Sequence, residues 1–153
     1  MIGEGTTDEE RLIAAALASA SHTRMLVVEE GARHKAAEAF AKQFASSSAI
    51  VIADENTLKA AGRDVIESFV RAGRPVEQPF VFGADVYAEE RCVNELHAAL
   101  SAADAIPVAV GSGTINDLTK LAAHRVGRPY LVVATAASMD GYTAYGASIT
   151  ANG

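Results

Sequence analysis

The sequence has a single cysteine, Cys92, no excess of basic residues and no long apolar run. One cysteine excludes an intrachain disulfide framework and a cysteine-based zinc site, and its apolar neighbours Val93 and Leu96 favour a core position. Thirteen Lys and Arg against nineteen Asp and Glu give a net charge of −6, without the basic stripe that nucleic acid requires. No apolar run approaches the roughly 18 residues of a membrane span, and no signal-peptide hydrophobic region begins the chain. We therefore expect a soluble, cytoplasmic protein without nucleic-acid or membrane partners.

Half of the 153 residues are apolar, which is enough to form a full core in a domain of this length. Five short apolar runs are rich in β-branched residues and are continuous rather than alternating, which is typical of strands buried on both faces of a parallel sheet. The predicted strands are Met25 to Val28, Ala49 to Ala53, Phe80 to Phe82, Ile106 to Val110 and Tyr130 to Ala134.

Segments with helical spacing separate these runs. A helix over Asp8 to Ala20, capped by Thr7 or Asp8, is predicted before the sheet. The alternation of strands and helices predicts an α/β fold, a doubly wound and mainly parallel sheet with helices on both faces. The apolar stripes of the later helices are Ala32-Ala36-Phe40-Phe44, Leu58-Ala61-Val65-Phe69, Val93-Leu96-Leu100 and Ile115-Leu118-Ala122, the last ended by Gly127 and Pro129.

The C-terminal residues 146–153 have the pattern of one strand that arrives at a turn. Asn152-Gly153 is a dipeptide typical of two-residue hairpins, but no second strand follows it. We therefore expect the chain to be cut short of a larger protein.

The segment Gly111 to Asp117 follows a predicted strand, at the edge where parallel α/β sheets bind ligands. Its glycines would let the backbone approach a diphosphate, and the following helix would offer free N–H groups and the positive end of its dipole. The spacing is neither GxGxxG, since Asn116 occupies the last position, nor that of a P-loop. A plain helix N-terminus capped by Thr114 or Asn116 is the alternative.

Asp54 directly follows another predicted strand, where a carboxylate can accept hydrogen bonds from an adenosine ribose. The alternative is that Asp54 only caps the helix that begins near Thr57. Because Asp54 precedes the glycine turn in the sequence, this arrangement is not the ordinary Rossmann fingerprint.

A third polar segment, with Thr135, Ser138 and Asp140, follows the last predicted strand. A ligand-facing loop and an ordinary surface loop are both compatible with it. The four histidines show neither HxxxH nor HExxH spacing, and no Ser-His-Asp group can be assembled. We expect no complete metal site within these 153 residues.

Three stretches in this order resemble the sn-glycerol-1-phosphate dehydrogenase family: VIADENT at 51–57, GSGTINDLTK at 111–120 and PYLVVATAASMDGYTAYGASI at 129–149. That family is grouped with iron-type alcohol dehydrogenases, glycerol dehydrogenases and 3-dehydroquinate synthases. The resemblance implies that residues 1–153 are a Rossmann-like dinucleotide-binding domain. It also implies a following helical domain, absent here, in which an Asp and two His hold zinc or nickel.

The implied reaction interconverts dihydroxyacetone phosphate and sn-glycerol 1-phosphate with NAD as the cofactor, NADP being the alternative, and the full-length protein is expected to be a homo-oligomer. By position, Asp54 resembles the acid that faces the adenosine ribose, and Asp140 the residue that meets the substrate. Thr135 and Ser138 resemble nicotinamide-side contacts. The residues under the pyrophosphate would be Gly111, Gly113, Thr114, Ile115, Asn116 and Asp117.

Two positions depart from the family pattern: Ser112 stands where many relatives have a third glycine, and Ala144 where relatives commonly have a serine. The alternatives to this reading are a dehydrogenase of glycerol or another unphosphorylated polyol, and a non-catalytic module that only binds a nucleotide.

Overall fold

A computed structural model describes residues 7–137, 139 and 141–151, and the chain divides into the compact units Met1–Glu30 and Gly31–Gly153. In the first unit, helix α1 (Asp8–Ser19) begins after Thr7. The Thr7 hydroxyl accepts a hydrogen bond from the Glu10 N–H, and the Glu10 carboxylate accepts one from the Thr7 N–H. This capping box confirms the predicted helix and its cap.

The predicted strand over Met25 to Val28 is wrong. These residues belong to no strand of the described sheet, and Leu26, Val27 and Val28 are 43%, 44% and 62% exposed. The preference of β-branched residues for strands reflects how they pack on a half-buried pleated surface. Side chains this exposed lack that packing, so the composition of the run does not produce a strand.

The second unit is built on a parallel sheet that has four strands within the described residues. The strands are β1 (Ser48–Asp54), β2 (Phe80–Phe82), β3 (Ala105–Gly111) and β4 (Leu131–Ala134). Their spatial order is β2-β1-β3-β4, and Ile52 of β1 pairs with Phe80 on one side and Ala109 on the other. The chain therefore moves outward from β1 to β2, then crosses β1 to build β3 and β4, so the winding reverses between β1 and β3.

Helices cover both faces of this sheet, which confirms the predicted doubly wound α/β fold. One face packs a core that includes Phe40, Val65 and Phe69, and the other a core that includes Cys92 and Leu96. Among the described residues, none of the helices combines the length and the hydropathy of a membrane span. The helices are α2 (Ala36–Phe44) after a 3₁₀ turn at Ala32–Lys35, α3 (Glu55–Thr57) continued by a π-helical stretch at Leu58–Gly62 into α4 (Arg63–Arg71), α5 (Glu90–Ala102) and α6 (Gly113–Arg125).

The predicted C-terminal strand is also wrong within the described residues. Of residues 146–151, Thr150 alone makes a bridge, an isolated parallel pairing with Glu89. The reason is that side chains of α6 form hydrogen bonds with backbone groups that a strand would use for pairing. Lys120 donates to the Gly146 carbonyl, and Asp117 accepts from the Ser148 N–H. The predicted turn at Asn152-Gly153 lies outside the described residues.

Candidate functional site

The reversal of winding places the ends of β1 and β3 side by side. Asp54 is the last residue of β1, and Gly111 is the last residue of β3. Since Ile52 is paired with Ala109, two further residues along each parallel strand bring Asp54 and Gly111 to the same edge. Open parallel sheets bind ligands in the crevice at such a point.

Gly111 is required by the close approach of helix α6 to the end of β3. A Cβ atom built on Gly111 would lie 2.6 Å from Cβ of Ile115 and 2.8 Å from its Cγ1. Backbone-linked atoms of this kind cannot move aside without shifting the helix. Glycine therefore lets the first turn of α6 sit directly against the strand end.

The first turn of α6 presents open hydrogen-bond donors. Ser112 occupies the N-cap position, but its side chain makes no capping bond, and the first helical bond runs from the Asn116 N–H to the Ser112 carbonyl at 3.0 Å. The N–H groups of Gly113, Thr114 and Ile115 consequently have no acceptor among the described residues. Neither Thr114 nor Asn116 caps the helix, and the positive end of a 13-residue helix dipole is left facing outward.

Asp54 has one carboxylate oxygen engaged and one open. Its Oδ1 accepts from the N–H groups of Asn56 and Thr57, both at 2.8 Å, so the predicted capping role is real. The Asp54 N–H in turn donates to the Thr57 hydroxyl at 3.0 Å, which holds the carboxylate in place. No donor in the described part of the chain reaches Oδ2. We call Asp54, Gly111 and the N–H groups of residues 113–115 the switch-point site.

Two of the residues expected under the pyrophosphate have side chains that turn inward. The side chains of Ile115 and Asn116 are buried, and Asn116 is only 1% exposed. The Asn116 Oδ1 accepts from the Tyr130 hydroxyl at 3.0 Å, and its Nδ2 donates to the Gly141 carbonyl at 3.5 Å. Asn116 thus supports the first turn of α6 from the buried side and joins it to the residue before β4 and to the loop after it.

The contact between the Tyr130 hydroxyl and Asn116 can be tested through the pH dependence of stability. Burial, with the negative charge of Asp117 as a second cause, raises the pKa of Tyr130 from 10.0 to about 12. Between these values the unfolded chain loses the phenol proton while the folded chain keeps it, so stability falls as pH rises. We expect the free energy of unfolding of the wild type to fall more steeply from pH 10 to about 12 than that of Tyr130→Phe. Urea denaturation across this range measures both, and parallel profiles would contradict the assignment.

Lys120 and Asp117 hold residues 141–148 against α6, and we call this pair the clamp. This role of the two residues was not predicted from the sequence. The Lys120 Nζ donates to the carbonyl oxygens of Gly141, Ala144 and Gly146 at 3.4, 2.7 and 3.0 Å and lies 3.8 Å from Asp117 Oδ1. Burial lowers the pKa of Lys120, and the Asp117 carboxylate opposes that shift. Asp117, which was expected near the pyrophosphate, lies beside Lys120 and accepts a hydrogen bond from the Ser148 N–H.

The loop after β4 lies against the start of α6. The Thr135 N–H donates to the Gly111 carbonyl at 3.1 Å, and a Cβ built on Gly113 would lie 2.5 Å from Cε of Met139. Tyr142 fastens the loop, since its hydroxyl donates to the Ala136 carbonyl and accepts from the Ala136 N–H. Thr135 is exposed beside the switch-point site. Ser138 and Asp140, the other two residues expected in this loop, lie outside the described residues.

The chain is similar to several known proteins. Residues 27–153 match the model of the iron-containing alcohol dehydrogenase family. A glycerol-1-phosphate dehydrogenase (NAD(P)+) of Halalkalibacterium halodurans is 34% identical over 106 residues, covering 67% of this chain and 27% of that protein. The enzyme of the same name from Bacillus licheniformis is 32% identical over 133 residues, covering 84% of this chain and 32% of that protein. The chain therefore spans about a quarter to a third of the length of these relatives.

Solved structures share the fold. A probable glycerol dehydrogenase from Sinorhizobium meliloti 1021 superposes with a TM-score of 0.58 at 21% identity, over 72% of this chain and 28% of that one. A glycerol dehydrogenase from Schizosaccharomyces pombe gives a TM-score of 0.55 at 20% identity, over 67% of this chain and 26% of that one. At these identities the likeness establishes the architecture of the sheet and its helices.

Proposed function

Since this chain belongs to the iron-containing alcohol dehydrogenase family, we propose that it is the dinucleotide-binding part of an NAD(P)-dependent dehydrogenase. We further propose, from the family resemblance, that the whole enzyme interconverts dihydroxyacetone phosphate and sn-glycerol 1-phosphate; the relatives reported above are named glycerol-1-phosphate dehydrogenases. The observation that carries the proposal is the switch-point site, where three open N–H groups of α6 lie at the same end of the sheet as the unengaged oxygen of Asp54.

The residues of the switch-point site fit the two polar parts of a dinucleotide. The N–H groups of residues 113–115, at the positive end of α6, would donate to the pyrophosphate. The Oδ2 atom of Asp54 would accept from a ribose hydroxyl, and its charge would disfavour a cofactor with a 2′-phosphate. When bound, the nicotinamide ring supplies the hydride acceptor or donor. Gly111 lets the first turn of α6, with its open N–H groups, lie directly against the end of β3, because a Cβ at this position would meet Ile115.

The loop after β4 is proposed to complete the site on the nicotinamide side. Thr135 lies at the same end of the sheet as the switch-point site, because its N–H donates to the carbonyl of Gly111. The roles of Ser138 as a cofactor contact and of Asp140 as a substrate contact rest on the family resemblance alone.

The metal that the family name implies is not assigned to this chain. Within residues 7–137, 139 and 141–151, no three His, Cys, Asp or Glu side chains are grouped so that they could hold an ion. The described residues therefore do not fit a metal centre, and no step of the proposal passes through one. Metal binding, homo-oligomeric assembly and a cytoplasmic location remain proposals about the whole protein.

The variant Asp54→Ser tests the proposed ribose contact. Serine is a good N-cap residue and can still accept from the N–H groups of Asn56 and Thr57, whereas the free carboxylate oxygen is lost. We expect the affinity for NADH to fall about ten- to a hundredfold, equivalent to ~1–3 kcal/mol, while the free energy of unfolding changes little. A titration that follows NADH fluorescence measures the affinity, and a parallel NADPH titration measures cofactor preference.

The matched control is Asp104→Ser, which removes an exposed carboxylate from the loop before β3. Its NADH affinity should equal that of the wild type. Equal NADH affinity in Asp54→Ser and the wild type would refute the ribose contact. Failure of the wild-type chain to bind either cofactor would refute the dinucleotide-binding proposal as a whole.

A further inference from the structure

The phenol of Tyr142 bonds both backbone polar groups of Ala136. Its hydroxyl donates to the Ala136 carbonyl at 3.0 Å and accepts from the Ala136 N–H at 3.3 Å. A phenol can donate and accept at the same time, and this pair of bonds requires both abilities. Phenylalanine at this position would keep the ring and make neither bond.

These bonds leave the backbone of Thr135 held on both sides. The Thr135 N–H donates to the Gly111 carbonyl at 3.1 Å, which joins the peptide group before Thr135 to the end of β3. The peptide group after Thr135 contains the Ala136 N–H, and Tyr142 holds it. Because peptide groups are planar, two fixed peptides restrict φ and ψ of the residue between them. Threonine is also restricted at χ1 by its branched Cβ, so the direction of the Thr135 hydroxyl is limited as well.

The Thr135 hydroxyl is available to a ligand. The residue is exposed, and within the described part of the chain no group hydrogen-bonds this hydroxyl. Asp54 ends β1, Gly111 ends β3 and Thr135 follows β4, and these three strands are neighbours in that order. A dinucleotide with its adenosine ribose at Asp54 and its pyrophosphate at the start of α6 would therefore extend its nicotinamide end towards Thr135.

Helix α6 sets the position of Tyr142. Tyr142 lies in the 3₁₀ turn Gly141–Thr143, and the Gly141 carbonyl accepts from Asn116 Nδ2 at 3.5 Å and from Lys120 Nζ at 3.4 Å. Both donors belong to the helix whose first turn forms part of the switch-point site. The phenol thus extends from a turn that is bonded to α6 and reaches the residue next to Thr135.

We propose that Tyr142 is a positioning residue for the cofactor. Through the Ala136 peptide group it directs the Thr135 hydroxyl towards the nicotinamide riboside half, so Tyr142 acts through Thr135 and not on the cofactor itself. The inference rests on the proposed dinucleotide-binding function.

The test compares NADH with ADP, which has the adenosine and the diphosphate but lacks the second ribose and the nicotinamide. We expect Tyr142→Phe to bind NADH about fivefold more weakly, the scale of one or two neutral hydrogen bonds, and to bind ADP like the wild type. Calorimetric titration of the full chain measures both affinities, and urea denaturation checks that the variant is folded. The control Tyr87→Phe removes a phenol that is 66% exposed and should leave the ratio of the two affinities unchanged.

A double-mutant cycle shows whether Tyr142 acts through Thr135. Thr135→Val is close in shape, removes the hydroxyl and should by itself weaken NADH binding about fivefold. If Tyr142 acts only by directing that hydroxyl, the double variant should bind NADH no more weakly than Thr135→Val. Independent contributions would instead multiply to a loss of about 25-fold.

Three results would overturn the inference and leave the dinucleotide site in place: unchanged NADH affinity in either single variant, an equal loss of NADH and ADP affinity in Tyr142→Phe, and multiplied losses in the double variant. The second of these would mean that the phenol supports the whole domain. A folded wild-type chain that binds neither NADH nor ADP would refute the proposed function, and the role of Tyr142 with it.

Discussion

Replacement of Gly111 by alanine is expected to lower the free energy of unfolding by about 2–3 kcal/mol, the cost of overpacking a well-packed site. The added Cβ would stand 2.6 Å from Cβ and 2.8 Å from Cγ1 of Ile115, a side chain that is fully buried. Since Cβ of Ile115 is attached directly to the helix backbone, the first turn of α6 must move away from β3. Urea denaturation measures the loss of stability.

The same substitution should weaken NADH binding at least about tenfold, because the open N–H groups of α6 move with the helix and one charge-assisted bond is worth ~1.5–3 kcal/mol. A Gly111→Ala variant with wild-type stability and wild-type NADH affinity would show that neither property depends on the close approach of β3 and α6.

Two other glycines are matched controls for Gly111→Ala. At Gly83 an added Cβ meets no atom within 4 Å, so Gly83→Ala should leave stability almost unchanged. At Gly113 the added Cβ would meet the Cε atom of Met139, the far end of a flexible side chain that is 39% exposed. Gly113→Ala should therefore cost less than Gly111→Ala, because Met139 can turn aside and alanine favours the helix.

Strand β1 was predicted from its composition because its side chains are buried by neighbours on both faces. The run from Ala49 to Ala53 is fully enclosed by helices, so its apolar composition was a sufficient signal. Met25 to Val28 have similar composition but no comparable burial, and composition cannot reveal whether a run will be covered. The rhythm from Leu58 to Phe69 predicted a helix, but not the π-helical stretch at Leu58–Gly62.

The candidate site was predicted less completely, because residues that are neighbours in the sequence motif make different contacts in the structure. The glycine turn and Asp54 were found from strand-end position, and the structure brings them together. Asn116 and Asp117 share the same motif, yet their side chains bind Tyr130 and Ser148, 14 and 31 residues further along the chain. Contacts over such separations leave no local pattern. The position of Lys120, one turn after Asn116 on α6, was the available signal for its role.

The second large effect is expected from Lys120→Met, which keeps most of the side-chain volume and removes the ammonium group. The wild-type Nζ bonds three carbonyl oxygens, of Gly141, Ala144 and Gly146, while the side chain is only 12% exposed. Each bond to a charged donor is worth roughly 1.5–3 kcal/mol, but the freed carbonyls can turn to water once the segment lifts. We therefore expect a net loss of about 2 kcal/mol in the free energy of unfolding.

Hydrogen exchange distinguishes local opening of residues 141–148 from a loss of stability in the whole domain. Hydrogen exchange of residues 141–148 should become much faster in Lys120→Met, whereas exchange in β1 and β3 should change only by the global loss. The control Lys59→Met, at an exposed lysine of the π-helical stretch, should leave both unchanged. Because the Thr135 loop is continuous with the clamped segment, NADH affinity should fall in Lys120→Met as well. Wild-type exchange at residues 141–148 would mean that Lys120 does not hold this segment against α6.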